Sequence, residues 1–334
     1  MKSKIDFVVT WVDGNDEEWQ KEKLKYEKKY NHNLKNIDNR VIRYRDWENL
    51  KYWFRGVETF APWVNKVYFI TYGHIPEWLN TECEKLVIVK HEDYMPKENL
   101  PTFNSNAIEM NMHKIKGLSE QFVYFNDDMF LTNKVFPEDF FKDGLPCDAC
   151  VFAPIMVKPG DNFFKKVCND IVIINKHFNF KKCIEKNKNK YFSLKNGEYL
   201  FKSLPLVVYN QFPGFNVFHH PIPYLKSTFE EVWKKEEDIL RKTMSFRFRN
   251  NEESVNHWLY QYWQFASGKF MPRNPKMGKY IDIMDENLCY FIERKKYKIT
   301  CINDSEQDMD FKIRKNEINA SFDKILPYKS KFER

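Results

Sequence analysis

No run of about 18 apolar residues occurs anywhere in the 334-residue chain, so nothing in it reads as a membrane-spanning helix. Its first residues, MKSKIDFVVTWVDG, carry no long apolar core ahead of the acidic positions, and no secretory signal is expected. Cysteine is sparse: there are seven, and only Cys147-x-x-Cys150 has a regular spacing. One such pair without a second does not make a zinc framework, and the expectation is reduced thiols in a cytosolic protein. No internal repeat is present. The formal charge of +7 is spread along the chain, and the basic Lys181–Lys190 run has neither a repeated basic motif nor a zinc frame around it. Nucleic acid is therefore not an expected partner. A mild positive balance suits anionic substrates or an anionic membrane face.

What is present is an enzyme-like composition. Hydrophobic residues make up 43% and aromatics 17%, the latter available both for core and for platforms under flat rings. The length suits one large α/β domain with insertions, or two lobes. Ile5–Trp11 is a short run rich in β-branched residues that opens into Asp13-Gly14-Asn15-Asp16, a strand followed by a polar turn. Asp16 is placed to cap a charged helix running to about Lys29. A second helix is expected over about Asp46–Phe60, where Trp47, Leu50, Phe54 and Val57 share a face. Lys66–Thr71, Leu86–Lys90 and Phe122–Phe125 read as strands. Asn104–Lys116 reads as a helix, with Asn106 and Glu109 as a capping box. Strands alternating with helices predict a mostly parallel sheet covered on both faces. Between about Pro137 and Leu206 the pattern loosens, and an insertion or mobile subdomain is expected. Helices are expected again at about Asn251–Ser267, stopped by Gly268, and near Ile318–Leu326. The division expected is 1–136 and 207–334 as two parts of one catalytic domain, with 137–206 between them.

Three clusters can carry chemistry. Asn126-Asp127-Asp128 follows an apolar strand, and ligands in open α/β sheets bind beyond the carboxyl ends of strands. Two carboxylates there can hold Mg²⁺ or Mn²⁺ against a diphosphate, although an ordinary acidic turn has the same sequence. Asp13 and Gly14 end the first strand in the same way; a plain Asp-Gly turn is an equal reading, and two such loops at two strand ends make each more credible. Phe218-His219-His220-Pro221 and Arg249, in the run Phe246-Arg247-Phe248-Arg249, offer a proton acceptor and a bidentate phosphate partner. A buried histidine pair with a surface arginine would look no different.

At these residues the chain resembles the Stealth family, which includes bacterial capsular-polysaccharide phosphotransferases and the animal lysosomal-enzyme GlcNAc-1-phosphotransferase. Ile5 to Asp16 resembles its first signature block. The second is carried by Arg43-Tyr44-Arg45-Asp46, Ala61-Pro62-Trp63-Val64, Leu100 to Glu109, and Tyr124 to Asp128. Phe218 to Pro221 with Ser227-Thr228-Phe229 resembles the third, and Cys301 to Asp304 with Pro327 to Glu333 the fourth. Asn104 and Asn106 stand where many relatives are expected to have Ser and Pro, and Trp47 replaces a small polar residue.

The resemblance implies a glycosyltransferase-A-like, Rossmann-like core with a helical C-terminal region, and phosphoryl transfer from a nucleotide sugar. It maps catalysis onto Asn126, Asp127, Asp128, His219 and Arg249, with His220 and Arg247 competing for the last two places. It further implies donor or substrate contacts at Asp13, Gly14, Arg45, Asp46, Asn104, Asn106 and Glu109, and Mg²⁺ or Mn²⁺ on Asp127 and Asp128. The implied reaction moves a hexose 1-phosphate, with UDP-GlcNAc as one donor of the class, to a saccharide hydroxyl and releases UMP. The acceptor would be lipid-linked or polymeric, at the cytoplasmic face of a bacterial membrane that the enzyme touches only peripherally. The alternatives are a metal-dependent glycosyltransferase releasing UDP and a non-catalytic saccharide-binding protein.

Overall fold

The structure, a computed structural model, describes residues 4–30, 45–157, 163–250, 253–304 and 310–334. Arg43, Tyr44 and Asn251, named above, lie outside them. Its centre is a five-stranded sheet built from β1 (Ile5–Trp11), β2 (Val67–Thr71), β3 (Leu86–Lys90), β4 (Gln121–Phe125) and β8 (Ile222–Leu225), in the order β3-β2-β1-β4-β8. The first four are parallel, and β8 runs antiparallel to β4. Alternation along the strands buries both faces. Phe7, Val9, Val67, Phe69, Val123 and Phe125 enter one apolar cluster. Val8, Tyr68, Ile70, Phe122 and Tyr124 enter the other. Strands covered on both sides read as continuous hydrophobic runs, which is why the sequence marks them so clearly.

Helices cover each face. With the first cluster pack α2 (Leu50–Phe60), α10 (Leu288–Glu293) and α11 (Phe311–Ile325). With the second pack α3 (Ser105–Glu109), α4 (Phe163–His177), α5 (Phe180–Tyr191), α7 (Lys226–Lys235), α8 (Glu237–Ser245) and α9 (Trp258–Ala266). α1 (Glu17–Tyr30) and α6 (Tyr199–Ser203) complete the helices of the described residues. Two small sheets flank the main one: β6 (Phe141–Lys142), β7 (Leu145–Asp148) and β9 (Met271–Pro272), and β10 (Gly278–Asp282), β11 (Ile299–Asn303) and β5 (Met129–Leu131). The C-terminal part is thus mixed rather than purely helical, since it supplies β8 to the main sheet and β9 to β11 to its neighbours.

Several boundaries differ from expectation for identifiable reasons. α1 starts where Asp16 accepts a bond from the Trp19 N–H at 2.7 Å, as its sequence suggests. α2 begins at Leu50 rather than Asp46. The Asp46 carboxylate accepts the Glu48 N–H at 2.7 Å and Glu48 takes φ +53°, which holds 46–48 in a turn. The helix expected over 104–116 is only Ser105–Glu109, followed by a 3₁₀ turn at Met112–Lys114, and its cap is Asn104 rather than Asn106. α9 starts at Trp258 because the Asn256 side chain accepts its N–H at 2.8 Å. The 137–206 stretch contains α4, α5 and α6, with Val167, Ile171, Ile174, Phe180 and Tyr191 buried against the main sheet's cluster. Its lysine- and asparagine-rich outer faces hide that periodicity in the sequence.

The C-terminal tail closes on α2 through one guanidinium. Arg55 donates to Glu333 through Nε at 3.0 Å and Nη2 at 2.9 Å, and to the Leu326 carbonyl through Nη1 at 3.0 Å. Burial pushes the Glu333 carboxyl up, but the bonds from Arg55 and Ser330 outweigh it and hold the group below its ordinary 4.5. Such a depressed carboxylate contributes stability that is complete above 4.5 and is lost as pH falls through the folded value. Breaking a buried pair leaves its partner uncompensated, so Arg55→Ala should cost about 3 kcal/mol. Chemical denaturation should register that loss near neutral pH, with the difference from the parent protein shrinking in acid.

Candidate active site

Parallel neighbours β1 and β4 end side by side, with Val9 opposite Phe125. The loops that follow them, Asp13-Gly14 and Asn126-Asp127-Asp128, therefore leave the same edge of the sheet. In the first, Asp13 accepts the Asn15 N–H at 2.8 Å, and the Gly14 carbonyl accepts from the Gln20 amide at 2.7 Å. After the second, the chain turns at once into β5. Its partner β11 pairs Cys301 with Met129, and the Ile302 N–H donates to the Asp128 carbonyl at 2.9 Å. β8 starts opposite Tyr124, so His219 and His220 arrive at the same edge just before it.

The carboxylates crowd one another. Asp127 is pushed up to about 7, first by the protein packed around the strand end, then by Asp128 and Asp46, while Arg249 opposes the shift. Its side chain still reaches solvent, so water moderates this elevation. Asp46 is raised by desolvation and by Asp13, against the bond from Glu48. Asp13, Asp46, Asp127 and Asp128 thus form one electrostatic group.

The two histidines separate clearly. His219 places Nε2 4.0 Å from the Asp128 carboxylate, between the rings of Tyr280 and Trp258. It holds φ +53°, a left-handed conformation uncommon outside glycine, asparagine and aspartate. His220 is buried and drops to about 3, by desolvation and then by the nearby Arg273 and His219. It packs so tightly on Gly278 that a Cβ there would lie 2.7 Å from its ring nitrogen.

The arginines separate as well. Arg247 is tied down by the carbonyls of Pro101 at 2.8 Å and Glu98 at 2.7 Å. Arg249 donates to the Ser105 hydroxyl at 2.9 Å and lies within electrostatic reach of Asp127. Arg45 pairs with Asp304 at 3.3 Å, and the Trp47 indole reaches the same carboxylate at 3.1 Å.

Asn104 caps α3 through its side-chain oxygen and donates to the Phe246 carbonyl at 3.0 Å. Deeper lies a polar chain, Thr10 to Tyr124 at 3.1 Å and Tyr124 to Glu109 Oε1 at 3.2 Å. Glu109 Oε2 and the Asn106 amide nitrogen are buried among the described residues without a hydrogen-bonding partner. Groups left so cost about 1–3 kcal/mol each until a ligand or water satisfies them.

Cys301, Asp304 and Ser105 join the site although residue type alone assigned them no role. Strand pairing beyond the local sequence delivers the first two. Asp128, His219 and Cys301 each bring one potential ligand atom, all within 4.8 Å of one another. The thiol, pushed well above its ordinary range by burial and by Asp128, stays protonated and is a poor partner for a hard cation. Crowded carboxylates are a good one, because a divalent ion relieves their repulsion. On donor chemistry, Asp127 and Asp128 fit a hard divalent ion.

The chain matches the family models described as Stealth protein conserved region 1, over residues 3–31, and conserved region 2, over residues 43–147. It is 48% identical over 334 residues to the capsular polysaccharide phosphotransferase WcwK of Streptococcus pneumoniae, covering 99% of this chain and 98% of that one. The receptor polysaccharide phosphotransferase WefC of Streptococcus gordonii is 43% identical, with 100% of both chains covered. The exopolysaccharide phosphotransferase cps2G of Lactiplantibacillus plantarum is 39% identical, over 99% of this chain and 96% of that one. Among solved structures, the galactosyltransferase LgtC in complex with donor and acceptor sugar analogues is similar at a TM-score of 0.40 and 9% identity, over 94% of this chain and 95% of that one. That likeness is too remote to bear on chemistry. The identities across whole chains do bear on descent, and by them this protein belongs to the Stealth family.

Proposed function

We propose that the protein transfers a hexose 1-phosphate from a UDP-sugar to a saccharide hydroxyl during assembly of a cell-surface polysaccharide, at the cytoplasmic face of the membrane. The observation that carries this reading is the convergence of a carboxylate group, a histidine and an arginine at one sheet edge, in a family whose named members are polysaccharide phosphotransferases.

The acceptor hydroxyl attacks the phosphorus that bears the sugar. A new P–O bond forms, the bond to the bridging oxygen breaks, and UMP leaves with that oxygen. The hydroxyl proton passes to His219 Nε2, and Asp128, 4.0 Å away, stabilises the imidazolium that results. Arg249, presented by the Ser105 hydroxyl, pairs with the phosphoryl oxygens as charge develops on them. Asp127 and Asp128 would hold Mg²⁺ or Mn²⁺, which when bound supplies charge neutralisation to the diphosphate. Asp13, Arg45 and Asp46 line the nucleotide or donor-sugar side, and the unpartnered atoms of Asn106 and Glu109 receive sugar hydroxyls.

The reaction class is tested by the nucleotide released from a UDP-hexose in the presence of a saccharide acceptor. UMP with a product heavier by a hexose phosphate is expected. UDP with a product heavier by a hexose alone would make this a glycosyltransferase.

His219→Ala should lower kcat by about 10²–10⁴-fold, with partial rescue by added imidazole. Should its metal affinity fall instead, the ring is a ligand and not the base. His220→Ala should lower Tm rather than kcat per folded molecule, since that ring fills a packed position. Arg249→Ala should lower kcat by about 10²-fold or more. Arg247→Ala should act through loop stability, and equal kinetic losses at both arginines would remove the distinction.

A further inference from the structure

Single large apolar residues on a protein surface are ordinary. The 194–209 stretch is different: Leu194, Phe201, Leu204, Val208 and Tyr209 are all exposed within it, Leu194 at 87%, Phe201 at 78% and Val208 at 71%. It comprises α6 between two 3₁₀ turns, Leu194–Asn196 and Leu204–Val208. The stretch is firmly seated from beneath. The Asn196 amide donates to the carbonyls of Cys150 at 3.0 Å and Tyr191 at 3.1 Å, and the Phe152 N–H donates to the Ser203 hydroxyl at 3.1 Å. Lys181 of α5 bonds the carbonyls of Val207 and Val208. A held backbone therefore presents a row of apolar side chains to solvent.

The charge around that row is predominantly positive. Residues 181–209 hold seven lysines against two glutamates, with no aspartate or arginine, and so carry most of the chain's net +7. Lys195 and Lys202 are exposed within the stretch, and exposed Lys181 bonds its far end. Apolar side chains framed by lysine match a bilayer interface with anionic headgroups, where the first enter the acyl boundary and the second meet phosphate. A second copy of the chain would bring two lysine-rich surfaces together.

We propose that this face docks the protein on an anionic lipid bilayer. The position suits a membrane-bound acceptor: Tyr199 meets Phe218 edge-on at 5.2 Å, and Phe218 precedes His219, so docking brings the loop of the proposed base to the lipid surface.

Co-sedimentation of the whole protein with vesicles tests docking without turnover, so it can fail while the transfer reaction stands, and the reverse. Binding is expected to vesicles of phosphatidylcholine with phosphatidylglycerol, and far less to phosphatidylcholine alone. Phe201→Ser and Val208→Ser should each weaken it by roughly tenfold, and Lys195→Glu by at least about fivefold. Activity on a soluble acceptor and Tm should stay unchanged in all three. No binding to anionic vesicles, or binding indifferent to these substitutions, would overturn the proposal. Self-association in solution that Phe201→Ser abolishes, without vesicle binding, would overturn it too and assign the face to a second copy.

Discussion

Asp127 and Asp128 are neighbours in the chain, and the parallel pairing of β1 with β4 brings Asp13 to the same edge while Asp46 reaches it from the turn before α2. Like charges at that density repel, and the fold must hold them there at a cost in free energy. The rest of the region can be understood from that constraint. Arg249 is drawn to Asp127, His219 sits against Asp128, and the Glu48 N–H bonds the Asp46 carboxylate. A divalent cation bound among such carboxylates would replace that repulsion by attraction.

The same logic separates look-alike residues. His219 and His220 are adjacent, yet a left-handed backbone turns one toward Asp128 and leaves the other packed on Gly278 beside Arg273. Arg247 and Arg249 follow α8 across a bend at 247–248, and one is spent on the carbonyls of Glu98 and Pro101 while the other reaches Ser105. In each pair a local turn of the backbone, not strand alternation, sends one side chain into structure and leaves the other at the carboxylate edge.

The four parallel strands of the main sheet were legible because they are apolar runs bounded by polar turns, and Leu86–Lys90 was read to the residue, whereas β8 and the short strands of the flanking sheets were not read. The acidic loops were legible for the same reason, as the polar ends of apolar runs. The start of α1 was read from its Asp16 cap, but the starts of α2, α3 and α9 were not, because side-chain bonds at Asp46, Asn104 and Asn256 decide them and leave no periodic trace. The 137–206 helices hid behind lysine-rich outer faces. Cys301 and Asp304 were beyond local reading altogether, since β11 reaches Asp128 only through pairing with β5. Residue type alone could not rank His219 above His220; the backbone sign and a neighbouring carboxylate supply that difference.

Cys301 adds a sulfur to a site otherwise furnished with oxygen and imidazole nitrogen. Held protonated, it offers a hard ion little. A thiophilic ion can expel that proton and recruit the sulfur together with Asp128 and His219. First-row affinities rise from manganese toward copper and zinc whatever a site is meant to hold. A thiophilic ion taken up here would therefore release a proton on binding that a hard ion would not.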